Sequence, residues 1–261
     1  MKKLKNKIYF LGTGGGATMV SLQKYSTAGF WVNIEGVDLY FDPGPGALWQ
    51  IRRAHLSPDD LKAVMVTHNH LDHTSDLNAL IESIHYQINK GGFNYKDYVV
   101  FFPPDTLECI SKYHRQMPGR LIKVKSQGRY KVGRLTIRTT KKLLEKPYYR
   151  SSLEVFGYLV SGKKHKFLYL PETMYQKGMF KGLKADLVIL NAMKAEGPLY
   201  ENTVKVINEL KPKLVLLRHW VKDSADYGIK KFAAKLSKET KVKIIPLEDG
   251  NIFNLEKNKL I

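Results

Sequence analysis

Three histidines and an aspartate crowd into Thr67-His68-Asn69-His70-Leu71-Asp72-His73, directly after the apolar run Ala63-Val64-Met65-Val66. The whole chain has 8 histidines in 261 residues, so three within six positions is a concentration that composition alone does not supply. Residues 63–67 read as a short buried strand, and the histidines emerge where the chain leaves its sheet. In extended chain, His68 and His70 project the same way, while Asp72 and His73 project apart. One cation could then take the two histidines, and a second Asp72 or His73. Neutral imidazole and carboxylate are ordinary zinc ligands, and imidazole also suits iron. The plainer alternative is a polar loop capping a helix over residues 74–86, with Thr74 or Asp72 as N-cap. Capping needs one such residue and gives three imidazoles nothing to do.

Around this loop the chain alternates strands and helices. Ile8-Tyr9-Phe10-Leu11 reads as a strand running into Gly12-Thr13-Gly14-Gly15-Gly16. That glycine run lacks the Lys-Ser/Thr of a phosphate-binding loop, and no helix pattern follows it. It reads instead as a tight turn that lets backbone pass close to a site. Residues 27–34 and 37–41 form a hairpin around Glu35-Gly36. Asp42-Pro43-Gly44-Pro45-Gly46 breaks the sheet and opens a helix to residue 54. Ser57-Pro58-Asp59-Asp60 starts a short helical turn. In the helix over 74–86, Leu77, Leu80, Ile81 and Ile84 recur at core spacing. A strand over 98–102 precedes a helix over 103–116 that holds His114, which has no partner nearby and is expected to be solvated or in the core. Short strands fill 121–140, and a hairpin pairs 156–161 with 166–170. Glu172 stands just past it, ahead of a helix to 180. Buried strands over 186–190, 213–217 and 242–246 alternate with helices near 201–210 and 225–236. No linker divides the chain. Two comparable halves of this kind predict an α/β fold of two mixed sheets packed face to face with outer helices, built as one domain over residues 1–261.

His68-x-His70-x-Asp72-His73 after a short strand resembles the signature of the metallo-β-lactamase-fold hydrolases. Phe10-Leu11-Gly12-Thr13-Gly14-Gly15-Gly16 and Phe41-Asp42-Pro43-Gly44-Pro45-Gly46 resemble its tRNase Z-like, phosphodiesterase branch. The resemblance implies an αββα sandwich and a ligand set completed from later strands. The late histidine falls on His219, in Leu216-Leu217-Arg218-His219. The bridging acid falls on Glu172, in Leu170-Pro171-Glu172-Thr173, where the family usually has aspartate. Asp42 would orient a metal-bound histidine through a hydrogen bond, or serve only as a cap. The middle histidine expected before Gly157 is absent, since residues 141–156 hold none. His165, at the tip of a hairpin whose other end carries Glu172, lies about 16 Å away along the strand. Glu145, Tyr148, Tyr149 and Glu154 are the candidates for that position. One cation would thus have Asp72, His73, Glu172 and His219, and the other His68, His70, a share of Glu172 and solvent. Zinc is expected, as one or two ions, with manganese or iron as alternatives. Asp72 would also orient the attacking water and so is the catalytic candidate. The His-Glu-Ala-Thr segment and later histidine of tRNase Z fall on Leu190-Asn191-Ala192-Met193 and Glu201-Asn202-Thr203. Neither holds a histidine, which argues against orthodox tRNA 3′ processing.

Lys+Arg number 43 against 24 Asp+Glu, a net +19 with pI ≈ 9.7. This favours an anionic partner, RNA or a small phosphodiester. Spread along the chain, the same charge also fits a generic solvated surface. Lys141, Lys142, Lys146, Tyr148, Tyr149 and Arg150 interleave cations with aromatics, a pattern for phosphate contact and base stacking or for a plain surface loop. The single Cys109 forms no internal disulfide and implies a reducing compartment. No stretch approaches 18 apolar residues, and the apolar run after the basic start is too short for a signal peptide. The expectation is a soluble cytoplasmic protein, monomer or homo-oligomer. Its expected function is metal-dependent hydrolysis of a phosphodiester. The alternatives are a lactone or thioester hydrolase on the same fold, and a degenerate member that binds nucleic acid or a phosphorylated ligand without turnover.

Overall fold

A computed structural model describes residues 5–95, 97–117, 119–143 and 153–261. The first half runs β1 (Lys7–Phe10), α1 (Ala17–Leu22), β2 (Phe30–Ile34), β3 (Val37–Phe41), α2 (Ala47–Arg53), β4 (Leu61–Met65), α3 (Leu71–Thr74), α4 (Leu77–Tyr86), β5 (Val99–Phe102) and β6 (Arg120–Lys123). The second runs β7 (Arg129–Val132), β8 (Leu135–Thr139), β9 (Tyr158–Ser161), β10 (Lys166–Leu170), β11 (Leu187–Asn191), α5 (Gly197–Leu210), β12 (Leu214–Arg218), α6 (Lys222–Tyr227), α7 (Ile229–Thr240), β13 (Lys243–Pro246), β14 (Ile252–Asn254) and β15 (Lys259–Leu260).

The strands form an eight-stranded sheet, β15-β14-β1-β2-β3-β4-β5-β6, and a seven-stranded sheet, β13-β12-β11-β10-β9-β8-β7. Side chains alternate faces along a strand, so one parity of each strand must meet the other sheet and the next must meet helices. Phe10, Phe30, Val32, Phe41 and Met65 face inward onto Tyr158, Val160, Phe167, Tyr169, Ile189 and Leu216 of the second sheet. The opposite parity, Trp31, Tyr40, Val64 and Val66, packs with Leu77, Leu80, Ile81 and Ile84 of α4. Leu168, Leu170, Val188, Val215 and Leu217 pack with residues of α5 and α7. Strands buried on both faces read as continuous apolar runs, as Leu-Val-Ile-Leu-Asn and Leu-Val-Leu-Leu-Arg do here. The αββα sandwich expected from the resemblance is the observed architecture.

Three rings mark its centre. Phe30 stacks on Phe41 at 4.8 Å, and Tyr169 from the opposite sheet presents its edge to Phe30 at 4.8 Å. The sheets are also tied by hydrogen bonds where β4 ends. The Tyr158 hydroxyl donates to the Val66 carbonyl at 2.6 Å, and Phe156 N–H donates to Thr67 O at 3.0 Å.

Several local expectations fail for physical reasons. The helix over 103–116 is two 3-10 turns, Pro104–Cys109 and His114–Gln116, because Pro103-Pro104 withhold two N–H donors and few side chains there reach the core. His114 is not without a partner: its Nε2 lies 3.3 Å from Glu82 Oε2 on α4. Residues 171–186 form turns instead of a helix, since side chains of α5 satisfy their backbone. Glu209 accepts N–H bonds from Gly178 and Phe180, and Asn202 bridges Tyr175 N and Thr173 O. A helix, α1, does follow the glycine run, opening at Gly16 with φ 80°. Strands β14 and β15, which extend the first sheet, carry no signal long enough to stand out in the sequence. Among the described residues no helix is long and apolar enough to cross a membrane.

Burial separates two aromatic residues sharply. Phe30→Ala, at the ring cluster, should cost about 3–5 kcal/mol of unfolding free energy. Trp49→Ala on α2, whose side chain is 67% exposed, should stay within about 0.5 kcal/mol of the parent. Chemical denaturation of both variants checks the contrast.

Candidate metal centre

The residues of the first loop reach the site through two different backbone conformations. His68 lies in the bend after β4, and extended His70 (φ −91°, ψ 153°) caps the single-turn helix α3. The helix sets neighbours about 100° apart, not on opposite sides. Asp72 and His73 therefore converge, correcting the expectation that they project apart. Thr74 Oγ1 and the N–H of His73 both donate to His70 O, at 2.9 and 3.0 Å, and fix the turn.

Two groups result, each with its nitrogen and oxygen atoms within 4.8 Å of one another: His68, His70 and Glu172, and Asp72, His73 and His219. In the second group His73 Nε2 and His219 Nε2 stand 3.3 Å apart, each 3.1–3.2 Å from Asp72 Oδ2. Glu172 touches both groups. Its Oε1 lies 3.3 Å from His68 Nε2 and 3.8 Å from His73 Nε2, and its Oε2 lies 3.6 Å from His219 Nε2. All six sequence-derived residues thus come together. The His68/His70 side gains no third imidazole. Of the four candidates for that position, Glu145, Tyr148 and Tyr149 lie outside the described residues, as do Lys146 and Arg150. Glu154 instead faces Lys142 Nζ at 3.9 Å, and its backbone N–H donates to Asp105 Oδ2. His165 stays at the far end of the sandwich, its N–H bonded to Glu35.

Behind these residues lies a buried polar frame. Asp42 Oδ2 lies 2.9 Å from His73 Nδ1, the contact anticipated for it, and accepts from the Tyr169 hydroxyl at 2.6 Å. Its two oxygens also accept from Thr67 N–H and Thr67 Oγ1 at 2.7 and 2.9 Å. Arg218, 1% exposed, donates to Tyr169 Oη, Asn191 Oδ1 and Gly12 O, all at 3.0 Å. Asn191 in turn donates to Glu172 Oε2 at 2.9 Å. One guanidinium therefore supports Asp42 through Tyr169 and Glu172 through Asn191. Sequence reasoning passed over Arg218 and Tyr169, although a charged residue ending the run Leu-Val-Leu-Leu was a signal. It noted Asn191 only as the place of an absent histidine.

The first glycine run serves the close approach expected of it, and Gly44 does the same. A Cβ on Gly15 would sit 2.0 Å from the His219 ring, and one on Gly44 would sit 2.0 Å from Asp72 O. Gly16 N–H donates to Asp72 Oδ2 at 2.6 Å.

Burial pushes the carboxyl groups of Asp72 and Glu172 up, but the surrounding imidazoles overrule it and hold both well below the usual range. Asp42 is lowered in the same way, by His73 above all. Burial opposes charge on His73 too, yet Asp72 and Asp42 raise it well above an ordinary histidine. His70 goes the other way: burial, with His68 beside it, lowers it to about 4. Four imidazoles and two carboxylates converging at hydrogen-bond distances are the donor set of a borderline metal such as zinc or iron.

Replacing Arg218 with methionine removes three hydrogen bonds to buried acceptors and strips support from two carboxylates. Arg218→Met should destabilise by roughly 3–5 kcal/mol, and Arg218→Lys should recover only part of that, lacking the planar fork. Thermal and denaturant unfolding of the pair checks this.

A family model described as the beta-lactamase superfamily domain matches residues 38–220. An uncharacterised protein of Methanocaldococcus jannaschii is 25% identical over 265 residues, covering 95% of this chain and 94% of that one. The ribonuclease Z of Sulfurisphaera tokodaii is 33% identical over 119 residues, 41% of this chain but only 39% of that enzyme. The crystal structure of the metallo-β-lactamase fold protein YhfI from Bacillus subtilis superposes with a TM-score of 0.71 at 16% identity, covering 95% of this chain and 98% of that one. The chain belongs to the β-lactamase superfamily, as a metallo-β-lactamase-fold hydrolase with tRNase Z-like relatives.

Proposed function

We propose that this chain, as one domain over residues 1–261, hydrolyses phosphodiesters with bound metal, RNA or a small phosphodiester being the substrate. Asp72, His73 and His219 would hold one cation, His68 and His70 a second, with Glu172 shared. The observation that carries this reading is the pair of ligand groups joined by one carboxylate. Zinc suits the imidazole-rich donors best, with iron and manganese as alternatives. A divalent cation bound there supplies charge to neutralise a phosphoryl oxygen and lowers the pKa of a water to about 7.

The protein's own groups do the rest. Asp72 engages Gly16, His73 and His219 through Oδ2, and its carboxylate would accept a hydrogen bond from the attacking water and fix its direction. Asp42 holds His73 by Nδ1, so that Nε2 is the nitrogen presented to the site. Asn191 keeps Glu172 turned between the two groups. The net charge of +19 supports an anionic substrate, as does the likeness to ribonuclease Z over part of the chain. With two histidines and a share of Glu172, the first group would hold its ion more weakly than the second. The lone Cys109, a free thiol, fits cytoplasmic residence.

Bis(p-nitrophenyl) phosphate with zinc or manganese should release nitrophenol, and Asp72→Ala and His73→Ala should abolish that release. Asn191→Leu should reduce it by about 10–100-fold. Turnover confined to lactones or thioesters, or none with metal stoichiometrically bound, would overturn the reading. Metal uptake gives a separate check. Asp72 and Asp42 raise His73 well above an ordinary histidine and so favour its protonated form in chelator-stripped protein. Zinc must expel that proton, so its affinity should rise with pH through the neutral range, with protons released in calorimetry across two buffers. His73→Ala should remove that release.

A further inference from the structure

At the other end of the second sheet lies a cleft of about 810 Å³. Strands β10 and β12 each begin beside it and end at the metal centre, a separation of roughly 16 Å for five residues of strand. Its lining brings together six exposed lysines, Lys164, Lys166, Lys184, Lys211, Lys213 and Lys243, from separate segments of the chain. Buried Ala185, Leu187, Leu214 and Leu255 lie beneath them.

The two acids in the lining do not balance this charge. Asp186 is taken by Lys213 at 2.9 Å. Both oxygens of Glu209 already accept backbone N–H bonds, from Gly178 and Phe180. The remaining five lysines have no carboxylate partner among the described residues. Gathering like charges in a concave surface costs free energy that a polyanion would return. Among the lining residues none is Phe, Tyr or Trp, and His165 is the one ring on which a base could stack. The fit is to a flexible, repeating phosphate chain, and the cleft is too small for a duplex.

We propose that this cleft binds the phosphate backbone of single-stranded nucleic acid, without reading base sequence, as a site separate from the metal centre. It does not depend on the hydrolase reading: binding here would persist in a chain that cleaves nothing.

The test is fluorescence anisotropy of labelled U20 and dT20 with the protein as purified, across a salt series, with gels confirming that the oligonucleotides stay intact. Both should bind with similar affinity. The triple variant Lys166→Glu, Lys184→Glu, Lys243→Glu should weaken binding at least about tenfold at 100 mM salt and lower the log–log salt slope by about 2. A control of equal charge change outside the cleft, Lys131→Glu, Lys230→Glu, Lys238→Glu, should leave the slope near the parent value, and both variants should match the parent in circular dichroism. Equal weakening by the control would reduce the effect to net charge and overturn the proposal. So would a preference above about tenfold for one oligonucleotide, or binding of inorganic phosphate or phosphatidylserine vesicles in place of the oligonucleotides.

Discussion

A buried carboxylate needs every lone pair answered, and at Asp42 that requirement couples the whole centre. Its oxygens meet Thr67, at the end of one strand, Tyr169, from the opposite sheet, and His73, from the metal loop. The Tyr169 contact crosses between the layers and would not survive a shift between them. The carboxylate also keeps His73 in one orientation, so the packing of the two sheets and the aim of an imidazole are set by the same group.

Arg218 extends that logic. It is a buried cation next in sequence to His219, and it stabilises acids without touching them, by way of a phenol and a carboxamide. Such relays hold Asp42 and Glu172 by short, directional bonds, while the positive charge remains behind the site. The centre can therefore stay anionic towards a cation even though the protein as a whole is strongly basic.

Much of this was legible in the sequence because the ligands sit at the ends of apolar runs. His68, Glu172 and His219 each follow a strand that reads as a nearly continuous apolar run, and strand ends can be read from a single chain. What could not be read was conformation within the loop: Leu71–Thr74 is one helical turn, too short for any periodicity to show, and it reverses the sense in which Asp72 and His73 point. The helix read over 103–116 after β5 does not form, because Pro103-Pro104 leave its first turn without N–H donors. The lysine cleft left no local trace at all. Its members are dispersed over some eighty residues, so in one dimension they resemble an evenly solvated basic surface.

Each ligand group draws on both layers: His68 and His70 with Glu172, and Asp72 and His73 with His219. An ion held by either group is thus a cross-link between the halves of the sandwich, fastened at one rim. That cross-link would add to the tie at the opposite rim, where Glu35 of the first sheet accepts backbone N–H bonds from Lys163, Lys164 and His165 of the second. The end that would hold the ions would then be braced by metal as well as by packing.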